Sequence, residues 1–194
     1  SKLSSEMIIE RLCKKFKLKY VILRFGTVYG ISPRIRFDVV INMLCGLALT
    51  TNKVTLNSNG EAWRPHLHIE DACESFRCCL DWSPNIGQLT ILNVGQNQDN
   101  YKIIDIAKIV HSNVLGSELT FLNKNTDTEV NDLVKDRKIQ DGVDTRSYKV
   151  SFEKIIRILP NFQCKWTVEE GIKNLLDELK QESLNGDIFS QREF

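Results

Sequence analysis

Short apolar runs alternate with segments of helical periodicity along the whole chain, and this alternation leaves few folds open to it. Lys19–Phe25 and Leu89–Val94 read as strands buried in a parallel sheet, and Val54–Leu56 and Glu118–Leu122 as shorter ones. Between them run helical patterns. Leu3, Met7, Ile8, Leu12 and Phe16 mark the first helix, read as sharing one face, and Phe37, Val40, Ile41, Leu44 and Ala48 mark the second. The segment Arg64–Ile69 alternates around Leu67 and Ile69, and Asp71 then opens a helix expected to bury Ala72, Phe76, Cys79 and Leu80. Ile103, Ile106, Ala107, Val110 and Val114 mark a fourth. Ser151 is expected to cap a helix through Leu159. Thr167 and Glu170 form a capping box for a last helix with Val168, Ile172, Leu175, Leu176 and Leu179 inward. Strands alternating with helices predict an α/β fold.

The glycines and prolines divide these elements. Gly26 to Arg34 reads as a loop at the carboxyl end of a strand, where open α/β sheets bind ligands. Asn57–Gly60 reads as a turn, and the polar stretch 123–145 as a long surface loop. One domain over residues 1–184 is expected, followed by a disordered tail at 185–194. The chain starts on Ser1 with no capping residue ahead of its first helix, and it reads as a piece of something longer.

Charge and cysteines narrow the function. Lys plus Arg number 26 against 25 Asp plus Glu, a net +1 that argues against a nucleic-acid partner. No apolar run reaches the roughly 18 residues of a membrane span, so no membrane partner is expected. Six cysteines show no C-x-x-C pair and read as reduced thiols in a cytoplasmic protein, with no metal site. G-x-G-x-x-G, P-loop, G-x-S-x-G and H-E-x-x-H patterns are absent from the sequence.

Four segments, in order, carry more. They are Ser1-Lys2-Leu3-Ser-Ser-Glu6, Leu23-Arg-Phe-Gly-Thr-Val-Tyr-Gly30, Gly60-Glu-Ala-Trp-Arg-Pro-His-Leu-His-Ile-Glu-Asp-Ala72, and Asp144–Lys154 with Thr167-Val-Glu-Glu-Gly171. Together they resemble the carboxyl-terminal part of the extended short-chain dehydrogenase/reductase family, the NAD-dependent sugar-nucleotide epimerases and dehydratases. The resemblance spans Ser1 to about Leu179. It implies the tail of a Rossmann-like parallel sheet plus a small α/β substrate-binding lobe, with the glycine-rich half and the catalytic Tyr lying upstream.

Residue by residue, the resemblance implies that Lys2 is the catalytic lysine of a Tyr-x-x-x-Lys pair. An ammonium beside a phenol favours the phenolate and draws its pKa down from near 10. Lys2, Phe25, Gly26, Thr27 and Val28 are the implied cofactor contacts for NAD, with NADP the alternative. Thr27, where many members have Asn, and Arg64 are implied on the substrate side, Arg64 at the diphosphate of a nucleoside-diphosphate sugar. Arg137 is a second phosphate candidate, with Arg146 its alternative. His66 and His68 read as structural, donating to backbone carbonyls; Asp71 as a helix-start residue favoured by the dipole; Trp63 and Trp166 as packing residues. Arg34 and Arg36 flank the site loop and could steer an anion or stand as rim charges. The implied reaction is transient hydride transfer at C4 of a UDP-hexose, in a parent enzyme rather than in this chain alone. The alternative is a non-catalytic nucleotide-sugar-binding or dimerisation module. A homodimer through helix 2–16 is implied in either case.

Overall fold

The computed structural model describes residues 2–82, 84–86, 88–121, 146–186 and 189. In chain order these form α1 (Lys2–Phe16), β1 (Ile22–Phe25), β2 (Thr27–Tyr29), α2 (Val40–Thr51), β3 (Lys53–Leu56), β4 (Trp63–His68) and α3 (Ile69–Asp81). There follow β5 (Ile91–Val94), a 3-10 turn (Asn97–Asp99), β6 (Asn100–Lys102), α4 (Ile103–Asn113), β7 (Glu118–Phe121), α5 (Glu153–Ile158) and α6 (Val168–Gln181). The predicted α/β class is the observed one. Three small sheets carry it: β1 parallel to β5, β3 parallel to β7, and a ribbon in which β4 pairs parallel with β2 and antiparallel with β6.

That ribbon separates two apolar cores. Side chains alternate across a strand, so Tyr29 and Tyr101 enter one core with α2, α4 and α6, while Val28 and Leu67 enter the other with Leu92, Val94, Phe152 and Phe162. Both faces of β4 are therefore covered. Pro65, His66, Leu67 and His68 are all buried, not the alternating in-and-out pattern expected for this segment.

The buried stripe of α3 also differs from expectation. Asp71, Ala72, Ser75 and Cys78 face inward, while Phe76 is 55% and Leu80 87% exposed. The cause is Asp71, whose carboxylate is turned into the molecule and fixes the rotation of the helix. Ser151 does not cap α5: Phe152 stands at that position, 1% exposed, with no side-chain cap bond. The capping box of α6 is formed as predicted, and its five expected core residues are at most 1% exposed.

The tail expectation fails at one residue. Phe189 is fully buried, its ring 4.9 Å from that of Phe37 and pressed onto α2 where Gly46 leaves no room for a Cβ. Helix α1 buries only Cys13, and Leu3, Met7, Ile8, Leu12 and Phe16 are all exposed. Among the described residues no helix is long and apolar enough to cross a membrane. All six cysteines are free.

Candidate functional site

The site begins where β1 ends. The Gly26 amide continues the β1–β5 ladder by donating to the Val94 carbonyl at 3.1 Å. A Cβ at Gly26 would lie 3.3 Å from the His66 backbone, so a side chain there would crowd the crossing onto β4. From that crossing β2 runs beside β4 with Thr27 opposite His66 and Tyr29 opposite His68. Registered partners in a parallel pair share a face, and residues two apart on β4 do too. Thr27, Tyr29, Arg64, His66 and His68 therefore line one side of the ribbon, with Arg64 the next residue along that face from His66, the partner of Thr27. Val28 turns with Leu67 into the opposite core, leaving only its backbone for a ligand. Phe25 keeps 36% exposure with its ring 5.4 Å from Phe76.

An ion pair ties α1 to this end. Arg24 donates from Nε and Nη2 to the two carboxylate oxygens of Glu6, at 2.9 and 2.6 Å. Lys2 stands one helical turn before Glu6, about 6 Å along the axis, and is exposed. The Glu6 turn of α1 is thus tied to Arg24, the residue before the last of β1.

Arg64 is built into a cationic and aromatic edge. Its Nη1 donates to the carbonyls of Trp63, at 2.8 Å, and Arg146, and its guanidinium lies 5.0 Å over the Tyr148 ring. The segment around Tyr148 docks on β4: the Trp63 amide donates to Ser147 Oγ at 3.1 Å and the Tyr148 amide to the Trp63 carbonyl at 3.2 Å. Trp63 is more than packing, with Lys149 Nζ 3.6 Å and Lys102 Nζ 5.9 Å from its ring centre. Lys102 is paired with Glu61 at 2.6 Å. Arg137 lies outside the described residues, whereas Arg146 stands beside Arg64. Arg36 commits its fork to Asp38, at 2.9 and 2.6 Å, which offsets any steering charge there.

Behind Arg64 the ribbon is polar but sealed. His66 is fully buried, neither ring nitrogen has a partner among the described residues, and burial, helped by the Arg64 charge, pushes its pKa down to about 3. His68 stacks on Trp166 at 4.3 Å and accepts at Nδ1 from the Glu70 amide, at 3.4 Å; burial lowers its pKa. Among the described residues neither histidine donates to a carbonyl, contrary to expectation, and burial favours the neutral ring in both. Asp71, 1% exposed, accepts from the amides of Lys165 (2.8 Å) and Trp166 (3.2 Å). Burial raises its pKa against those two bonds. Asp71 stands in the first turn of α3, as the sequence reading has it, and its carboxylate also ties α3 to the entry of α6.

Sequence reasoning missed three participants. Gln96 bridges the Trp166 carbonyl (3.0 Å) and the Asp99 carboxylate (2.8 Å), and burial raises the Asp99 pKa to about 6. A Cβ at Gly171 would fall 2.2 Å from the Tyr29 hydroxyl, which donates to the Thr167 carbonyl at 3.4 Å. A glycine in the first turns of a helix, four residues after a capping threonine, was the available signal for that contact. A cavity of about 530 Å3 lined by Ile31, Pro33, Ile69, Glu70, Cys73 and Glu74 lies at the far end of the ribbon from Arg64, and of the residues named above only Glu70 borders it.

Comparison with known proteins bears on this arrangement. Residues 1–95 match the model of the NAD dependent epimerase/dehydratase family, the resemblance that the sequence motifs carry. No curated protein matches the chain. Among solved structures, UDP-glucose 4-epimerase from Thermotoga maritima, with UDP-glucose, is similar at TM-score 0.73 and 18% identity, over 94% of this chain and 52% of that one. UDP-glucuronic acid 4-epimerase from Bacillus cereus, in complex with UDP-glucuronic acid and NAD, matches at TM-score 0.67 and 22% identity, over 93% and 51%. dTDP-glucose 4,6-dehydratase from Bacillus anthracis, in complex with NAD, matches at 0.70 and 20%, over 93% and 50%. The chain spans about half the length of these structures.

Proposed function

We propose that this chain, whose residues 1–95 match the NAD dependent epimerase/dehydratase family, is the substrate-binding portion of a sugar-nucleotide epimerase or dehydratase. Its substrate would be a nucleoside-diphosphate hexose, with C4 the reacting carbon. The observation that carries the reading is the β2–β4 register, which puts Thr27 and Arg64 on one face at the end where β1 and β5 finish.

Each residue then has a defined task. Arg64, with Arg146 beside it or Arg137 as the second arginine, takes the diphosphate, because a guanidinium fork matches phosphate oxygens in a way an ammonium does not. Thr27 offers one hydroxyl to the sugar or the nicotinamide. Lys2 would work with a tyrosine one helical turn ahead of it in a longer polypeptide, its charge favouring the phenolate that takes the sugar hydroxyl proton. The residues present fit one side of a nicotinamide: Phe25 and Thr27 keep exposure at the strand ends, and Gly26 is already filled by β4. NAD, when bound, supplies the reversible hydride chemistry. Six free cysteines support a reducing compartment and a cytoplasmic location. Pairing of two copies through α1 completes the reading.

Calorimetry on the 194-residue chain tests it. UDP should bind, and Arg64→Ala should weaken it by roughly 10- to 150-fold, the loss of charge-assisted hydrogen bonds of about 1.5 to 3 kcal/mol. NAD alone should give no measurable heat. UDP affinity that is indifferent to Arg64→Ala would sink the assignment.

A further inference from the structure

We infer that Asn97 and Asn100 are positioning residues, holding the 146–152 strap so that Arg146 and Tyr148 stay set against Arg64. This rests on the reading of Arg64 as the diphosphate residue and goes beyond it by asking what keeps that site assembled.

The strap does not join β4 and β6 as an ordinary strand. Pro65 faces Asn100 across the β4–β6 pair and has no amide hydrogen to give, so the ladder ends there. The alternate strap amides find other acceptors. Tyr148 donates to the Trp63 carbonyl at 3.2 Å, Val150 to Asn100 Oδ1 at 2.8 Å, and Phe152 to Asn97 Oδ1 at 2.9 Å. Asn100 Nδ2 donates back to the Val150 carbonyl at 3.0 Å and also to the Asn97 carbonyl at 2.9 Å. A planar amide side chain carries one acceptor and two donors, and here it reproduces the two-way pairing of a sheet neighbour.

Beyond these bonds Phe152 is the anchor. Its ring, 1% exposed, covers Gly95, where φ is +151° and a Cβ would meet the ring at 2.8 Å. Residues 146 to 149, by contrast, are exposed. Their backbone meets β4 at Trp63 and Arg64 in the bonds named above, and the clamp at 150 and 152 fixes where the strap enters that contact. The asparagines touch no substrate. They act through the strap.

The test uses the 194-residue chain, UDP as probe, and trypsin, which can cut after Lys149. Asn100→Ala should raise the cleavage rate at Lys149–Val150 at least tenfold, relative to cleavage after Lys173 within α6, and weaken UDP about tenfold. Asn100→Asp keeps the acceptor for Val150 and loses the donors, so both effects should be intermediate. In an Arg64→Ala background, Asn100→Ala should cost less than a further twofold in UDP affinity. Unchanged cleavage in Asn100→Ala would overturn the clamp whatever UDP does. Faster cleavage with unchanged UDP affinity, or a full tenfold loss in the Arg64→Ala background, would overturn its role in positioning. If Arg64→Ala leaves UDP binding unaltered, the nucleotide reading itself has failed and this inference with it. The cleavage ratio still reports separately whether the asparagines hold the strap.

Discussion

The buried polar layer behind Arg64 should reveal itself through two titrations of opposite sign. His66, ordinarily near 6.5, is held at about 3 by burial, so below pH 6.5 the unfolded chain takes a proton that the folded chain refuses. Its contribution to stability falls as the pH drops towards 3. Asp99, ordinarily near 3.8, is raised to about 6, so the folded chain takes a proton first and gains stability as the pH falls from 6 to 3.8. Between pH 7 and pH 4.5 linkage gives a loss of about 2.5 kcal/mol from His66 and a gain of about 2 kcal/mol from Asp99. In the unmodified chain these nearly cancel. His66→Phe should therefore become more stable on acidification and Asp99→Asn less stable, the two diverging by about 4 kcal/mol over that interval. His68 has its pKa lowered and Asp71 has its raised. Both remain in all three proteins and shift each profile alike. Urea unfolding followed by the fluorescence of Trp63, Trp82 and Trp166 at the two pH values gives the comparison, whatever the absolute effect of each substitution. A His66→Phe profile parallel to the parent's would refute the reasoning, since it would mean that His66 takes its proton equally in both states.

Other substitutions probe the packing that supports the site. Phe189→Ala empties the socket on Gly46 and Phe37 and should cost about 3 to 5 kcal/mol, read as a shift in urea midpoint; a change under about 1 kcal/mol would show that the tail is not anchored there. Gly171→Ala sets a methyl against the Tyr29 hydroxyl and should destabilise by about 1 to 3 kcal/mol. Tyr29→Phe in the same chain should relieve part of that cost, and no relief would place the strain elsewhere.

Much of the fold was legible because its signals are local. The box of Thr167 and Glu170 and the 3.6-residue pattern after it put five residues of α6 in the core without help from elsewhere. Rotation of α3 was not legible. Judged by apolar periodicity, Phe76 and Leu80 belong inside; what turns them out is a carboxylate bonding to amides more than ninety residues away. The same holds for Gly171 and Asn100, whose partners Tyr29 and Val150 are 142 and 50 residues distant in sequence. Arg64 could be found because a fork of donors has a chemistry of its own. The residues that hold Arg64 could not, because asparagines that pin a backbone look like any loop asparagine until the backbone is in place.

Helix α1 sets the last question, what covers its apolar side chains. At about 100° per residue, Ile8, Ile9, Leu12 and Phe16 fall within one arc of roughly 100°, and Leu3 and Met7 fall together well outside it. The seam that carries buried Cys13 and the Glu6–Arg24 pair runs between the two groups. The five residues expected on one face thus belong to two surfaces, and one flat partner cannot cover both. Exposed apolar surface of this kind is what an interface would use. The larger arc has the length for helix-to-helix pairing with a second copy, its side chains standing at successive turns. If that pairing forms, Leu12→Glu should convert a dimer to a monomer in sedimentation, because an isologous contact places the charge twice at the same centre. Met7→Glu, on the other arc, should leave the dimer intact. A monomer from both substitutions, or from neither, would show that the second copy does not sit on the Ile8–Phe16 arc.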